Sequence, residues 1–129
     1  MTQMDTHVKI VAWLHIVLGC LSLLIAAFAG VFFGVLGGIF GVAAGSSVGG
    51  LLGFGGAGFI AFILVGVFAL PHFLVAWGLL NRAEWGRILG IVVSILSLLH
   101  PAVGIGTIIG IYSLIILFQP ETSALFRNP

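Results

Sequence analysis

The most restrictive feature of this sequence is the length of its uncharged stretches. No Lys, Arg, Asp or Glu occurs between Lys9 and Arg82, and none occurs after Arg87 until Glu121. Apolar runs of about 18 or more residues predict membrane-spanning helices, because about 20 helical residues are needed to cross a hydrocarbon core of about 30 Å. Charged residues make up 5% of the chain, against about 25% in soluble domains, so the composition excludes a water-soluble fold.

The apolar runs predict an all-α membrane protein. We predict four transmembrane helices that form an antiparallel bundle, at about residues 8–29, 59–80, 83–99 and 103–118. The 129 residues of the chain suffice for four spans with short connections and hardly for more. Residues 1–129 are therefore treated as a single four-helix transmembrane domain.

Residues 30–58 form a glycine-rich connection between the first two predicted helices. Glycines recur there at intervals of four residues, at Gly37, Gly41, Gly45, Gly49 and Gly53. One interpretation is a glycine-rich hairpin turn or loop, because each glycine weakens a helix by about 1 kcal/mol relative to alanine. The other is a glycine zipper, a helical face that allows very close contact with another helix. Both interpretations allow a turn near residues 45–47, and the sequence leaves them open.

Small residues outside this connection also fall on single helical faces. They recur at intervals of three or four positions, which places them on one side of a helix. Small side chains allow helices to approach closely in lipid, so we predict helix-packing surfaces at these positions. The residues are Gly19 and Ser22 in the first predicted helix, Gly86, Gly90 and Ser94 in the third, and Gly106 and Gly110 in the fourth.

The basic residues set the predicted topology. They are Lys9, Arg82, Arg87 and Arg127. With four spans, all of them lie on one side of the membrane, which the positive-inside rule assigns to the cytoplasm. We therefore predict a multi-pass protein of the inner, or plasma, membrane with both termini in the cytoplasm.

Residues 81–87 form the only charged cluster inside the apolar part of the chain. Asn81 is a favourable N-cap residue for the third helix, and Glu84 follows it by three positions in a variant of the capping box. Arg87 follows Glu84 by three positions. We expect Arg87 to pair with Glu84 or to extend to the membrane interface.

Two histidines are candidates for a buried polar or ligand-binding pair. His15 and His72 each lie on the small-residue face of a predicted helix. In one interpretation, each is neutral and forms a hydrogen bond to a neighbouring helix. In the other, the pair binds a haem or a metal ion, since imidazole is a common ligand for both. Apart from this option, the sequence predicts no cofactor and no metal site.

An enzyme is not expected from the distribution of acidic residues. Asp5, Glu84 and Glu121 all lie at the ends of predicted spans, so no carboxylate is placed to orient a buried histidine in a Ser-His-Asp arrangement. The glycines lack the Lys-Ser/Thr ending of a phosphate-binding loop. A net charge of +1 and the lack of a basic patch argue against a nucleic-acid partner.

A resemblance to known proteins rests on residues in roughly the last 50 positions. These are Gly78–Leu80, Arg82, Trp85–Ile91, Pro101, Gly110–Tyr112 and Glu121. They resemble a family of small, uncharacterised bacterial integral membrane proteins with four helices, a domain of unknown function. The resemblance implies a four-helix fold in a bacterial inner membrane, and it implies no activity.

The sequence therefore predicts a structural or interaction protein embedded in the lipid bilayer. Its partners are expected to be further copies of the chain or the subunits of a larger membrane complex, because small-residue faces are abundant and exposed polar segments are short. The alternative is a channel or transporter for a small solute, in which the glycine repeat lines or shapes the path. The sequence names no solute, because it has no ring of charge and no repeated polar motif.

Overall fold

The computed structural model describes residues 3–98 and 104–127, except for the side chains of Ser47, Leu51 and Phe54. Within these ranges every regular element is helical, which confirms the predicted all-α class for the described residues. The elements are α1 (Gln3–Ala43), α2 (Ser47–Gly50), a π-helical turn (Leu51–Gly55), α3 (Gly56–Leu80), α4 (Glu84–Leu98), α5 (Gly104–Leu117) and α6 (Pro120–Arg127).

Two helices of the described residues, α1 and α3, are long and apolar enough to cross a membrane. The pair α5 and α6 adds a third candidate span if it is counted as one element, although its axis bends by 70°. Taken alone, α4 and α5 have 15 and 14 residues, or about 22 Å at about 1.5 Å per residue. The protein is therefore a helical membrane protein with two to three candidate spans in its described part.

Helix α1 is much longer than the first predicted span. The prediction ends this span near residue 29, whereas α1 continues to Ala43, so most of the predicted glycine-rich connection is helical. The residues between the glycines are large and apolar, and in hydrocarbon every backbone polar group needs an internal partner. This requirement outweighs the low helix propensity of glycine, which the loop interpretation relied on.

The end of α1 is a Schellman motif centred on Gly45. The φ angle of Gly45 is +67°, in the left-handed region that glycine adopts without steric cost. Its N–H donates to the carbonyl of Val42 (3.1 Å), and the N–H of Ser46 donates to the carbonyl of Gly41 (2.9 Å). Gly45 therefore ends a helix, and the five-glycine repeat does not form one continuous helical face.

The chain separates into two compact units. The first unit consists of Met1–Gly19 and Leu70–Pro129, and the second consists of Cys20–Ala69. In the second unit, the part of α1 that belongs to this unit packs against α2 and the first turn of α3 through glycines. A Cβ atom added to Gly50 would overlap the backbone of Gly41, and one added to Gly58 would lie 2.7 Å from the Cβ of Phe33.

Glycines also set the helix contacts of the first unit. At the crossing of α3 and α4, a Cβ atom on Gly86 would overlap the backbone of Gly78. Between α4 and α5, a Cβ atom on Gly110 would lie 3.1 Å from the carbonyl oxygen of Ser94, and one on Gly90 would lie 2.9 Å from Leu117 Cδ1. The paired residue numbers run in opposite directions, so α4 and α5 are antiparallel.

The apolar core of the first unit draws on α1, α3, α4, α5 and α6. Its buried members are Val8, Val11, Ala12, Val75, Ala76, Leu79, Val93, Ile116, Leu117 and Phe126. Phe126 anchors α6, and Thr122 Oγ1 on the same helix donates to the carbonyl oxygen of Ile116 (2.7 Å). The same carbonyl accepts from the N–H of Gln119 (3.3 Å), so these two bonds together satisfy one of the last carbonyls of α5.

Candidate functional site

His15 on α1 and His72 on α3 are in direct contact within the first unit. Their Nδ1 atoms are 3.0 Å apart, which is a hydrogen-bonding distance. His15 is 1% exposed, and His72 is half-buried. The structure therefore brings together the two histidines that the sequence places on small-residue faces.

The two imidazole rings meet head to head. Their centroids are 5.3 Å apart and their planes differ by 28°. The Nδ1 atoms are 3.0 Å apart. The difference between this distance and the centroid separation equals the sum of the two distances from a ring centroid to its own Nδ1 atom. Both Nδ1 atoms therefore lie close to the line that joins the centroids. An N–H bond or a lone pair on one Nδ1 is thus directed at the other.

A third side chain, Ser113 on α5, completes the site. Its Oγ lies 3.5 Å from Nε2 of His15, and Ser113 is fully buried. Sequence reasoning missed this residue. The signal was present, because Ser113 follows Gly106 and Gly110 by seven and three positions and so extends the same helical face.

These groups form a chain that can hold its protons in two ways. A neutral imidazole has one N–H donor and one acceptor nitrogen. If His15 donates from Nε2 to Ser113, its Nδ1 accepts from His72. If the Ser113 hydroxyl donates to Nε2 instead, His15 donates from Nδ1 to His72. In either state, both nitrogens of His15 and the Nδ1 atom of His72 have a hydrogen-bond partner.

No larger cluster of metal-ligating side chains occurs in the described ranges. Within residues 3–98 and 104–127, no three His, Cys, Asp or Glu side chains converge. The thiol of Cys20 is free and exposed. The histidine pair therefore supplies two nitrogen ligands without a nearby carboxylate or thiolate from this part of the chain.

Asp5, Lys9 and Arg82 form an ion cluster at one end of the first unit. Asp5 is 4% exposed; its Oδ1 accepts from Arg82 Nη2 at 2.7 Å, and its Oδ2 lies 3.3 Å from Lys9 Nζ. Asp5 lies in the polar beginning of α1, before the apolar run. Burial alone would raise the pKa of the Asp5 carboxyl, but the hydrogen bonds and charges of Lys9 and Arg82 lower it below its ordinary value.

The turn between α3 and α4 differs from the predicted cap. Asn81 does not cap α4; its Nδ2 donates to the carbonyl of Trp77 (2.9 Å) and so closes the end of α3. The carbonyl of Ala83 accepts from the N–H of Gly86 (2.9 Å) and begins α4. The end of α3 is a Schellman motif that extends two residues past the helix, which moves Asn81 away from the N-cap position.

Arg82 lies at the left-handed position of this motif, with φ of +52°. Its N–H donates to the carbonyl of Leu79 (3.2 Å), and the N–H of Ala83 donates to the carbonyl of Gly78 (2.9 Å). Glycine is the usual residue at such a position. Arginine occupies it here, and from it the guanidinium group reaches Asp5.

Arg87 acts as a cap for α5. Its Nε donates to the carbonyl oxygen of Leu117 at 2.9 Å, in place of the expected pairing with Glu84. A cation at the C-terminal end of a helix is also favoured by the helix dipole. Nearby contacts of the same unit include the bond between His7 Nδ1 and the hydroxyl of Tyr112 (2.9 Å).

The predicted helix-packing residues have different surroundings. Six of them are buried between helices: Gly37, Gly41, Gly86, Gly90, Ser94 and Gly110. Ser22 is half-buried, and Gly45 and Gly49 are exposed. Ser94 Oγ is buried without a hydrogen-bond partner among the described residues. A Cβ atom on Gly19 would lie 2.9 Å from the Phe73 ring, whereas Gly53 and Gly106 have no described atom within 4 Å of the Cβ position.

The chain matches no protein-family model, and no curated protein or solved structure matches it. The resemblance to a family of small bacterial four-helix proteins therefore stays a prediction. Function has to follow from the contacts and surfaces of the molecule itself.

Proposed function

We propose that this chain is a four-span inner-membrane protein with a structural, non-enzymatic role. It forms homo-oligomers or serves as an accessory subunit of a larger membrane complex. The observation that carries this proposal is an open glycine pair on α1, Gly34 and Gly38, in the second unit. A Cβ atom at either position would have no described atom of the chain within 4 Å, apart from its own helix.

Two glycines four residues apart on a lipid-facing helix favour contact with a further helix. They lie on the same helical face, and the missing side chains allow two backbones to approach closely. Large exposed side chains flank the pair; Val31 is 67% exposed and Val35 is 56% exposed. Such side chains can pack against a partner helix in lipid, where van der Waals contact drives association.

The contacts of the basic residues support the proposed topology. Lys9 and Arg82 share the carboxylate of Asp5, so the start of α1 and the end of α3 lie together. Arg87 bonds to the last carbonyl of α5, and Arg127 ends the next helix, α6. Lys9, Arg82 and Arg87 thus bind at helix ends in one part of the first unit, and the positive-inside rule assigns that part to the cytoplasm.

Two exposed tryptophans support an interface at the same place. Trp77 is 62% exposed and Trp85 is 47% exposed, and their rings meet edge to face with centroids 6.3 Å apart. Indole rings are enriched at the boundary between membrane and water. Their position on either side of Arg82 agrees with a return of the chain to the cytoplasmic surface between α3 and α4.

The test is the oligomeric state of the protein in nanodiscs, measured by native mass spectrometry. We expect the wild-type chain to be oligomeric or to retain a partner protein. The double variant Gly34→Leu/Gly38→Leu is expected to be monomeric. Gly66→Leu is the matched control, because Gly66 on α3 is equally open but has no glycine four residues away on its C-terminal side.

Two outcomes would contradict the proposal. A strictly monomeric wild-type protein that retains no partner would exclude an interaction role. A double leucine variant that associates as strongly as the wild type would exclude the Gly34–Gly38 face as the contact surface.

A further inference from the structure

The two nitrogens of the histidine pair face each other in the direction that a linear two-coordinate cation site requires. Two neutral nitrogen ligands face each other, since Nδ1 of His15 and Nδ1 of His72 lie near the line between the ring centroids. We propose that this pair binds one monovalent cation with a filled d shell, such as Cu(I), in a linear site. This inference does not depend on the proposed structural role, because it concerns contacts inside the first unit.

The required change in the pair is small. A metal–imidazole bond is about 2 Å long, so a linear site needs the two Nδ1 atoms about 4 Å apart, in place of the present 3.0 Å. If both rings share the movement, each shifts by about 0.5 Å. Rotation about side-chain bonds accommodates shifts of this size without movement of the helices.

The contact with Ser113 provides the room for His15 to move. Nε2 of His15 is 3.5 Å from Ser113 Oγ, about 0.5 Å longer than an ordinary N–H···O bond. When His15 moves away from His72, this contact shortens to a normal hydrogen bond. One displacement therefore opens the cation site on one side of the ring and strengthens a hydrogen bond on the other side.

The same hydrogen bond selects the form of His15 that can act as a ligand. When Nε2–H donates to Ser113, the Nδ1 atom carries the lone pair. Histidines that bind metals usually donate their other N–H to a neighbouring acceptor in this way. On binding, the Nδ1 proton of His72 moves to its Nε2 atom, so both imidazoles remain neutral and no proton is released.

Coordination number and charge both favour a monovalent ion. Structural zinc takes four ligands, and the described residues offer no cluster of three or more His, Cys, Asp or Glu. The solvation cost of burying an ion rises with the square of its charge, so a divalent ion without a buried carboxylate costs about four times as much as a monovalent one. Copper is among the metals that imidazole binds well.

A haem does not fit between the same residues. It would need a flat slot between α1 and α3 on either side of the pair. Ala12 on α1 is 0% exposed and Ala76 on α3 is 2% exposed, and both belong to the apolar core cluster, so the side of the pair on which they lie is already filled. A Cβ atom on Gly19 would be 2.9 Å from the ring of Phe73, so the opposite side is also closed.

The test uses the full chain with Cys20→Ala in nanodiscs, so that the exposed thiol cannot bind copper. Cu(I), kept reduced with ascorbate, is titrated against a coloured Cu(I) chelator. We expect one Cu(I) per chain, with two nitrogen neighbours and no sulfur in X-ray absorption. His15→Leu and His72→Leu should each abolish binding, and Ser113→Ala should weaken it about 10-fold. His7→Leu is the matched control and should bind like the parent.

Several results would overturn the proposal. These are the absence of chelator-competitive binding, sulfur in the coordination shell, full binding by His72→Leu, and zinc binding as tight as that of Cu(I). If a leucine variant loses its helical circular dichroism, it cannot test the site, and nitrogen-15 NMR of the parent protein is used in its place. Ag(I), as the probe, should shift the signals of two of the four histidines, and a shift of none or of all four would refute the site.

Discussion

At the scale of single residues, Arg82 combines an unfavourable backbone conformation with a favourable charge contact. Its φ of +52° costs a non-glycine residue about 1–2 kcal/mol. Its Nη2 atom lies 2.7 Å from Asp5 Oδ1, but 41% of the arginine side chain is exposed. Exposed ion pairs contribute about 1 kcal/mol or less, so the contact offsets only part of the backbone cost.

Two substitutions of Arg82 separate these contributions. Arg82→Ala removes the ion pair and retains the cost of the left-handed conformation, whereas Arg82→Gly removes both. We therefore expect Arg82→Gly to be more stable than Arg82→Ala by about 1 kcal/mol, measured by thermal unfolding in detergent. An alanine variant as stable as the glycine variant would show that residue 82 does not adopt this conformation.

The contact between His15 and His72 predicts a coupling between their substitutions. Replacement of one histidine by leucine leaves the Nδ1 atom of the other without a partner, at a cost of about 1–3 kcal/mol. Replacement of both removes this cost. The double variant His15→Leu/His72→Leu should therefore lose less stability than the sum of the single variants. Unfolding free energies that add within about 0.5 kcal/mol would mean that the rings do not interact.

Some of these residue contacts could be predicted from sequence and others could not. Helical periodicity places His15 and His72 on inner faces, because the periodicity depends only on residues that are close in sequence. The contact between Asp5 and Arg82 joins positions 77 residues apart, and no local pattern pairs the polar start of the chain with the charged cluster at residues 81–87. Ser113 was missed although it shares a helical face with Gly106 and Gly110, because that face does not reveal which side chain of another helix lies opposite it.

At the scale of helices, the residues at which helices begin and end are set by backbone conformation, which the sequence only partly reveals. The apolar runs predict where helices occur. Their ends depend on left-handed residues at Gly45 and Arg82, and arginine gives no signal for that conformation. The length of α1 was underestimated because helix propensities measured in water undervalue glycine in lipid, where an open backbone group has no water to bind.

Gly45 should therefore be sensitive to substitution in a way that other glycines are not. Gly45→Ala places a Cβ atom on a residue with φ of +67° and should destabilise the protein by about 1 kcal/mol. Gly66→Ala is the control, because Gly66 lies within α3 with open space at its Cβ position and alanine favours a helix. Equal melting temperatures for the two variants would argue against a Schellman end at Gly45.

At the scale of the whole molecule, composition predicts the membrane environment of the protein better than it predicts how the helices pack together. The lack of charge over long runs predicts a membrane protein, and the helices α1 and α3 confirm it. Neither composition nor periodicity predicts the division into two units, because that depends on which glycine faces meet. The four-span bundle rests on the charge pattern and remains a proposal.

The alternative function, a channel or transporter for a small solute, predicts flux through liposomes that contain the protein. We expect none above that of empty vesicles across a panel of ions and small solutes. The glycine repeat that was to line a path is interrupted where α1 ends at Ala43, and Gly37 and Gly41 are buried. Reproducible flux that is lost in Gly37→Leu would favour the alternative.

The proposed topology predicts which sites react with a membrane-impermeant thiol reagent. In a Cys20→Ala background, cysteines are introduced singly at Glu84, Ala124 and Ser46, which are all exposed. With four spans and both termini in the cytoplasm, Glu84→Cys and Ala124→Cys should react only in inverted membrane vesicles. Ser46→Cys follows α1 and should react in intact spheroplasts.

These three sites test separate steps of the topology. Ser46 and Glu84 on opposite sides require one crossing between them, which α3 supplies. Glu84 and Ala124 on the same side require an even number of crossings in between, which is two if α4 and α5 both cross despite their lengths of 15 and 14 residues and zero if neither crosses. Labelling of Ala124→Cys from the side opposite to Glu84→Cys would show that the region between Arg87 and Glu121 crosses an odd number of times, and it would exclude the four-span arrangement.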